Sequence, residues 1–242
     1  MSFSIRNIVP DVLLPINYCK NHVLSISNSR AIAGPFRGMR YVEQSSSSAF
    51  WPKLLGTYEK ELHVILDRLK GTTFDNVLVV GAGEGHYAVG LSFLVKARQI
   101  IAFETEEDER ALLAKTRQEN NVQIEIAGAC TPSILREFVG LRNLIVIDIE
   151  GDEDFFLQDG VIVEMMNSNC IIEVHSRQFL SKTREMLSNA FLVEFVPVQQ
   201  RTFQDFPLKL AAFQKLLRRY WTSLVQEWRS DSIGWIILTP KS

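Results

Sequence analysis

Short apolar runs alternate with segments of helical periodicity through the middle of the chain. Five candidate strands begin at Val77, Ile100, Val122, Leu144 and Ile171, so their starts lie 23, 22, 22 and 27 residues apart. Each interval accommodates a strand, a helix and two short turns, which is the pattern of crossover units in a parallel sheet. Four of the five runs are almost continuously apolar, as strands covered on both faces require.

The third run differs from the others because polar residues interrupt it. Val122, Ile124 and Ile126 alternate with Gln123 and Glu125. One face of such a strand is wetter than the other, which predicts a position at or near the edge of the sheet.

Capping signals mark the helices between these strands. Thr105 precedes a run of acidic residues, Thr131 precedes Pro132, and Ser176 precedes an amphipathic segment. Hydroxyl side chains accept hydrogen bonds from first-turn amides, and proline loses nothing at the first helical position. We therefore predict that helices begin after Thr105, Thr131 and Ser176. We interpret the acidic run as a helix start and not as a metal cluster.

Residues 1–70 form an N-terminal extension that is less regular than the strands after it. Its last part, Trp51 to Lys70, predicts one helix that leads into the sheet. Tyr58 and Glu59 lie in this helix, where we expect them on its surface, although they could also reach the rim of a pocket.

Two further strands are predicted near the end of the chain, Phe191 to Val196 and Gly234 to Leu238. The insertion between them, residues 199–230, carries apolar residues at helical spacing, which is typical of a segment that packs on a core. A lid or a dimer face is the alternative use of the insertion. We predict one domain over residues 71–242, with the extension as a lid or an oligomer contact.

Composition limits the class of protein. The chain has 242 residues, 46% of them hydrophobic, and a formal net charge of -2. This apolar content excludes a disordered chain, and the charge gives no electrostatic reason for a nucleic-acid or anionic membrane partner. Cys19, Cys130 and Cys170 form no C-x-x-C pair, and no apolar run approaches the roughly 20 residues of a membrane span. We predict a cytoplasmic protein with reduced thiols.

The sharpest local signal is VLVVGAGEGHYAVG, residues 77–90. It combines a buried strand, a glycine turn and the apolar face of a helix. Glycines leave the backbone bare, so a ligand can lie against it, and the helix start offers free N–H groups. We assign the turn to a cofactor site that includes Gly81, Ala82, Gly83, Glu84 and Gly85.

The spacing of the glycines separates two cofactor classes. A dinucleotide site has the pattern G-x-G-x-x-G, whose third glycine lets the helix approach the strand. Here His86 occupies the place of that third glycine. The observed G-x-G-x-G form is similar to that of class I methyltransferases, which use S-adenosyl-L-methionine. An NAD(P)-dependent oxidoreductase remains the alternative, because it would share Gly81, Gly83 and Glu104.

The ends of the second and third strands supply the other candidate cofactor residues. Glu104 closes IIAFE, where a carboxylate can accept hydrogen bonds from both ribose hydroxyls, and Thr105 follows it. Gly128 and Ala129 form the turn after the third strand, where adenine packs in this fold. No acid stands at this turn to accept a hydrogen bond from the adenine amino group.

The fourth strand ends in the string IVIDIEGDEDFFL. Asp148 lies at the carboxyl end of this strand, where ligands bind in open sheets. The string D-I-E-G-D-E, residues 148–153, resembles the signature of FkbM-like methyltransferases, and IIEVH, ending in His175, resembles the next strand of that family. The resemblance covers about residues 76–196. It implies S-adenosylmethionine-dependent O-methylation, often of sugar or polyketide-type hydroxyls.

Methyl transfer from a sulfonium is an in-line displacement that needs an aligned and deprotonated acceptor. His175 is the candidate base, because its ordinary pKa lies near neutrality, and Asp148 could orient the base or the acceptor. Asp148, Glu150 and His175 could instead hold a divalent metal. Because Glu150 is also typical of a helix start, we predict no bound metal.

We predict a Rossmann-like class I methyltransferase: a seven-stranded, mostly parallel sheet with the last strand antiparallel and helices on both faces. The expected acceptor is a small hydroxylated molecule, saccharide-like or a natural product, and the protein could form a homodimer. A non-catalytic module that retained the fold is the third hypothesis. It is compatible with Val79, which stands where the family often has an acid.

Overall fold

The computed structural model describes residues 14–42, 49–149, 153–212, 214–227 and 232–241. The strands are β1 Thr73–Val80, β2 Lys96–Phe103, β3 Glu125–Ala127, β4 Asn143–Ile147, β5 Asn169–Val174, β6 Phe191–Pro197 and β7 Gly234–Pro240. They form one sheet in the order β3-β2-β1-β4-β5-β7-β6. Strand β7 pairs antiparallel with both of its neighbours, and the pairs from β3 to β5 are parallel. The predicted seven-stranded fold with an antiparallel last strand is confirmed.

Helices cover both faces of the sheet. They are α1 Pro15–Ser27, α2 Phe50–Leu55, α3 His63–Leu69, α4 His86–Leu94, α5 Glu107–Glu119, α6 Pro132–Arg136, α7 Asp154–Asp159, α8 Val161–Glu164, α9 Arg177–Leu187 and α10 Arg218–Val225. Helices α1 to α5 and α10 pack on what we call the first face, and α6 to α9 pack on the second face. Each face has its own apolar core.

The pleat of the strands assigns their side chains to these two cores. In β1, Val77 and Val79 belong to the first-face core, whereas Leu78 and Val80 belong to the second. All five residues of β4 are buried, as its continuous apolar run predicts. Strand order reverses between β1 and β4, so the carboxyl ends of these two strands border the crevice in which open sheets bind ligands.

The edge position of the third strand is confirmed, because β3 ends the sheet. The strand is shorter than the pattern from Val122 predicts and begins only at Glu125. Asn121 has a φ of 52°, and the chain pairs with β2 only after leaving this left-handed turn.

Two of the three predicted helix caps are confirmed. The Thr131 hydroxyl accepts a hydrogen bond from Ile134 N, and the Ser176 hydroxyl accepts one from Phe179 N at 3.1 Å. The prediction for Thr105 is wrong, because Glu106 is the N-cap residue of α5 and makes no side-chain cap. The amide of Glu106 donates instead to the Glu104 carboxylate at 2.9 Å, which satisfies one amide at this helix start.

The single helix expected from Trp51 to Lys70 is also wrong. Helix α2 stops at Gly56, which has a φ of 70°, and Glu59, with a φ of 46°, precedes a 3₁₀ turn that leads into α3. A side chain at Gly56 would overlap the carbonyl of Ala33, so the chain turns where only glycine fits. Glu59 is consequently buried and does not lie on a helix surface.

The insertion is helical over a shorter range than its apolar spacing suggests. It contains 3₁₀ turns at Phe203–Asp205 and Gln214–Leu217 and the helix α10. Phe206 and Leu224 are buried in the first-face core, as expected of a segment that packs on a core, whereas Phe213 and Trp228 lie outside the described residues. Among the helices of the described ranges, none has both the length and the apolar character that a membrane span needs.

Candidate functional site

The glycine turn connects β1 to α4 and brings two strand ends together. Gly81, Gly83 and Gly85 all have positive φ, of 78°, 50° and 97°. A Cβ at Gly81 would overlap the carbonyl oxygen of Asp148, at the end of β4. Gly81 therefore lets the turn and the end of β4 approach each other, which places Asp148 beside the predicted cofactor turn.

Glu104 lies across from the same turn, at the end of β2. It is buried, and its Oε2 accepts a hydrogen bond from the Gly83 amide at 2.7 Å. Its Oε1 accepts from the Glu106 amide at 2.9 Å. A carboxylate has about four acceptor positions, so two remain for other donors. The structure thus brings together Gly83 and Glu104, which the sequence assigns to one site.

Glu84 and Thr105 are also predicted cofactor residues, and their side chains lie in different surroundings. The carboxylate of Glu84 forms a largely buried ion pair with Lys53 of α2, at 2.6 Å, so its side chain contacts the extension. Thr105 is exposed, and its carbonyl accepts a hydrogen bond from Arg110 at 2.6 Å. Ala82 is buried under the turn.

The turn after β3 lies next to the Glu104 strand end. The Glu104 amide donates to the Ala127 carbonyl at 3.1 Å, and Gly128 and Ala129 follow, both exposed. A Cβ at Gly128 would have no neighbour within 4 Å. Cys130 is half-buried behind this turn, and burial raises the pKa of its thiol to about 12, which keeps it protonated. The turn offers an open, weakly polar surface.

Asp148 follows the last residue of β4, and Glu173 lies near the end of β5, on the same side of the sheet. Ile147 pairs with Ile172, so the next positions, 148 and 173, are neighbours across the two parallel strands. Val146 and Ile171 contact the first-face core. Because side chains alternate along a strand, Asp148 and Glu173 project to that same first face.

His175, which follows β5, faces two glutamates. Its Nδ1 lies 3.0 Å from an oxygen of Glu153, and its Nε2 lies 3.4 Å from an oxygen of Glu173. Glu153 and Glu173 are both buried, and 13% of the His175 side chain is exposed. Glu150 of the alternative metal set lies outside the described residues.

The sequence analysis assigns no role to Glu153 or Glu173. A signal for Glu173 exists, because it is a charged residue inside the buried run IIEV. Such a residue is rarely fully buried without a partner. The partner itself, His175, lies two positions further, but its contact with Glu153 depends on the course of the loop after β4 and has no local signal.

Aromatic residues of the extension and of α4 itself pack around His86, the first residue of α4. The Tyr41 hydroxyl lies 2.9 Å from its Nδ1, and the rings of Phe36, Tyr58 and Tyr87 contact its ring. Together they line a cavity of about 20 Å³, room for about one water molecule. Burial lowers the pKa of His86 well below its ordinary value, with a contribution from the charge of Lys53.

A buried ion network joins the extension to the insertion. Arg201 pairs with Glu61 and with Glu227, the latter at 2.8 Å, and it donates to the Thr57 carbonyl at 3.1 Å. The Tyr87 hydroxyl of α4 donates to the buried Glu59 carboxylate. Because the Glu59 amide also donates to Glu227, at 3.1 Å, the network reaches the helix that follows the glycine turn. No local pattern in the sequence predicts these contacts.

Comparisons with known proteins support the fold. No family model matches the sequence, and no curated protein matches it. Among solved structures, the chain is similar to precorrin-6y C5,15-methyltransferase from Geobacter metallireducens GS-15, with a TM-score of 0.53 and 13% identity over 84% of this chain and 94% of that one. The C-terminal domain of precorrin-6Y C5,15-methyltransferase from Rhodobacter capsulatus matches with a TM-score of 0.50 and 10% identity, over 84% and 93%. The chain therefore has the Rossmann-like fold of class I methyltransferases.

Proposed function

We propose that the protein is an S-adenosylmethionine-dependent methyltransferase that methylates a hydroxyl of a small molecule. The observation that carries this proposal is the hydrogen bond from the Gly83 amide to Glu104, at 2.7 Å. It holds a bare backbone turn and a buried carboxylate side by side at the carboxyl ends of β1 and β2. This is the pair of groups that an adenosyl cofactor with a charged amino-acid tail requires.

We expect different residues around Gly83 and Glu104 to contact different parts of the cofactor. Glu104 retains acceptor positions for ribose hydroxyls, and the bare backbone of Gly81 and Gly83 lets the methionine part lie against the turn. Gly128 and Ala129 leave an open surface for adenine. When bound, the cofactor supplies an electrophilic methyl group. Because Gly81 contacts the end of β4, Asp148 lies beside the turn that would hold the cofactor.

The carboxyl ends of β4 and β5 carry the candidate groups for the acceptor. A hydroxyl that accepts a methyl group must lose its proton, so the site needs a base beside the acceptor oxygen. His175 and Asp148 are the proposed candidates for this proton and for aligning the hydroxyl. The acidic groups at this end, Glu153 and Glu173 included, disfavour a polyanionic acceptor such as a nucleic acid.

The proposed acceptor class rests on the sequence. The string D-I-E-G-D-E at residues 148–153 resembles FkbM-like methyltransferases. From this resemblance we propose O-methylation of a saccharide-like or natural-product hydroxyl. This acceptor class is tested by incubating the protein with S-adenosylmethionine and a panel of free sugars, glycosides and tRNAs. Mass spectrometry then detects the methylated products. Product from tRNA alone would contradict it.

Calorimetric titration tests the cofactor assignment. We expect the protein to bind S-adenosylmethionine and not NADH, and Glu104→Ala to weaken binding by about 5- to 150-fold, because hydrogen bonds to a charged acceptor contribute roughly 1–3 kcal/mol. Glu107→Ala is the matched control, since Glu107 lies in the same acidic run but on the exposed start of α5. Binding of NADH alone would favour an oxidoreductase, and binding of neither ligand a non-catalytic module.

A further inference from the structure

We propose that Glu153, Glu173 and His175 form a binding site for one divalent metal ion, with Mn²⁺ as the best-suited ion. The ion site as such is independent of the methyltransferase assignment. Its role in acceptor binding rests on the proposed function. The site differs from the set that the sequence suggests, because the structure supplies Glu153 and Glu173 in addition to His175.

The spacing of the three side chains fits a single ion. Each offers one ligand atom, and these atoms all lie within 4.8 Å of one another. At metal–ligand distances of about 2.0–2.3 Å, adjacent ligands of an octahedral ion lie about 3 Å apart and opposite ligands about 4–4.6 Å apart. Glu153 lies 3.0 Å from Nδ1 of His175 and Glu173 lies 3.4 Å from Nε2, so whichever nitrogen binds the ion has one carboxylate as its direct neighbour. Coordination therefore requires the carboxylate at the other ring nitrogen to rotate toward the ion.

Charge is the second reason for the proposal. Only 3% of Glu153 and 4% of Glu173 is exposed to solvent. Taking carboxylates out of water is costly unless opposite charge compensates them. Both carboxylates face the same imidazole, which carries at most one positive charge, and Asp148 adds a third carboxylate on the neighbouring strand. A divalent cation bound by Glu153 and Glu173 would compensate both buried carboxylates.

The donor set favours a particular class of ion. Two carboxylate oxygens and one imidazole nitrogen suit Mn²⁺ or a similar transition-metal ion, whereas Mg²⁺ prefers oxygen ligands alone. Three protein ligands leave further positions of an octahedral ion to water or to oxygens of a ligand. The site would then select acceptors with two neighbouring oxygens, such as a vicinal diol, and would lower the pKa of a hydroxyl that contacts the ion.

The ion changes the role of His175. A ring nitrogen that coordinates the ion cannot also take the acceptor proton, so Asp148 becomes the base in the ion-bound enzyme. The contact between Gly81 and the Asp148 backbone places this residue between the cofactor turn and the proposed ion. With the ion present, Glu153, Glu173 and His175 hold it, and Asp148 contacts the acceptor.

Titration with Mn²⁺ tests the ion site directly. The full chain is first dialysed against a chelator, and bound and free Mn²⁺ are then counted by electron paramagnetic resonance, without cofactor or acceptor. We expect one tight ion per chain, with affinity at least 10-fold weaker in Glu153→Gln, Glu173→Gln and His175→Ala. Glu164→Gln is the matched control, because Glu164 is an exposed carboxylate that pairs with Arg136 on the second face. Circular dichroism verifies that each variant is folded.

The outcomes separate this proposal from the proposed function. Stoichiometric binding that weakens in the three variants and not in Glu164→Gln supports the ion site, even in a protein that binds no S-adenosylmethionine. The absence of stoichiometric binding, or equal binding in wild type and Glu173→Gln, overturns it. In that case S-adenosylmethionine binding by the same sample leaves the proposed function intact. If the variants fail to fold, nuclear magnetic resonance of the wild type tests the site instead. Mn²⁺ should broaden the His175 ring signals first, because a ring that coordinates the ion lies closest to it.

Discussion

Each face of the sheet is covered by an apolar core, but the two faces differ in where their ion pairs lie. On the first face, Arg201 and its partner Glu61 have side chains that are 3% and 0% exposed. On the second face, Arg136 and its partner Glu164 are 38% and 44% exposed. The pair of Lys182 with Asp154 is similarly exposed. Among the described residues, the ion pairs of the second face therefore lie at the surface, and the first face has buried ones.

The buried ion pairs lie on the same face of the sheet as the candidate site. Asp148 and Glu173 project to the first face, and His86 and Tyr87 begin the helix after the glycine turn there. The second face is covered by helices that connect successive strands. The first face is covered in addition by the extension and the insertion, which carry the buried charges. We infer that acceptor specificity depends on the first face.

Breaking one ion pair on each face gives the largest expected contrast. Arg201→Met leaves Glu61 and Glu227 buried without their cation, and we expect it to lower the free energy of unfolding by about 3–5 kcal/mol. Arg136→Met removes an exposed pair and should cost less than about 1 kcal/mol. Urea denaturation followed by circular dichroism measures both values.

Equal effects of the two substitutions would contradict the contrast. A small effect of Arg201→Met in particular would mean that Glu61 and Glu227 find other compensation. The double variant with Glu227→Gln gives a further check. Because it removes one of the stranded carboxylates, it should recover part of the stability that Arg201→Met loses.

Two glycines with the same backbone conformation give the next contrast. Gly81 has a φ of 78° and Gly160, between α7 and α8, has a φ of 83°. An added Cβ would overlap the Asp148 carbonyl at Gly81 but would meet nothing within 4 Å at Gly160. Both alanine variants lose about 1–2 kcal/mol from the left-handed conformation. We expect Gly81→Ala to cost at least about 2 kcal/mol more, because backbone atoms must also move.

Thermal and urea denaturation of both variants measure this difference. Gly81→Ala should also weaken S-adenosylmethionine binding, whereas Gly160→Ala should leave it unchanged. Similar destabilisation by the two substitutions would show that the end of β4 can move away from the glycine turn. It would then remove the argument that Gly81 fixes the position of Asp148.

The parts of the molecule that local sequence predicts are those built from backbone and from short-range contacts. The mostly parallel sheet follows from alternating strands and helices, and the Thr131 and Ser176 caps are confirmed because their hydrogen bonds span three residues. The pairing of Gly83 with Glu104 belongs to the same class, since successive strand ends meet at one edge of a parallel sheet. Such features leave a pattern in the sequence.

The parts that the sequence does not predict depend on contacts between distant segments. Gly56 ends α2 because its neighbour is Ala33, which the helical pattern from Trp51 to Lys70 does not contain. Arg201 finds Glu61 across 140 positions in the chain. The partners of His175 likewise depend on the loop after β4. Such contacts form only when distant segments pack together, so no local pattern in the sequence predicts them.

The pH dependence of stability gives the smallest expected contrast and concerns His86. All four histidines lie outside α6 to α9, and His86 begins a helix of the first face. Burial and the charges of Lys53 and His63 lower the pKa of His86 in the folded protein. The hydroxyl of Tyr41 and the ring of Tyr58 also face it.

The sign of the effect follows from proton binding. Below its ordinary pKa of about 6.5, His86 takes up a proton in the unfolded chain but not in the folded one, so stability falls as the pH falls. We expect the wild type to lose up to about 1.4 kcal/mol per pH unit below pH 6.5 relative to His86→Asn, whose amide does not titrate and keeps an acceptor for Tyr41. Urea denaturation from pH 5 to pH 8 measures the two curves. Parallel stability curves for wild type and His86→Asn would mean that the cavity beside His86 admits enough water to protonate the ring in the folded protein. The pH dependence of stability would then no longer distinguish the two faces.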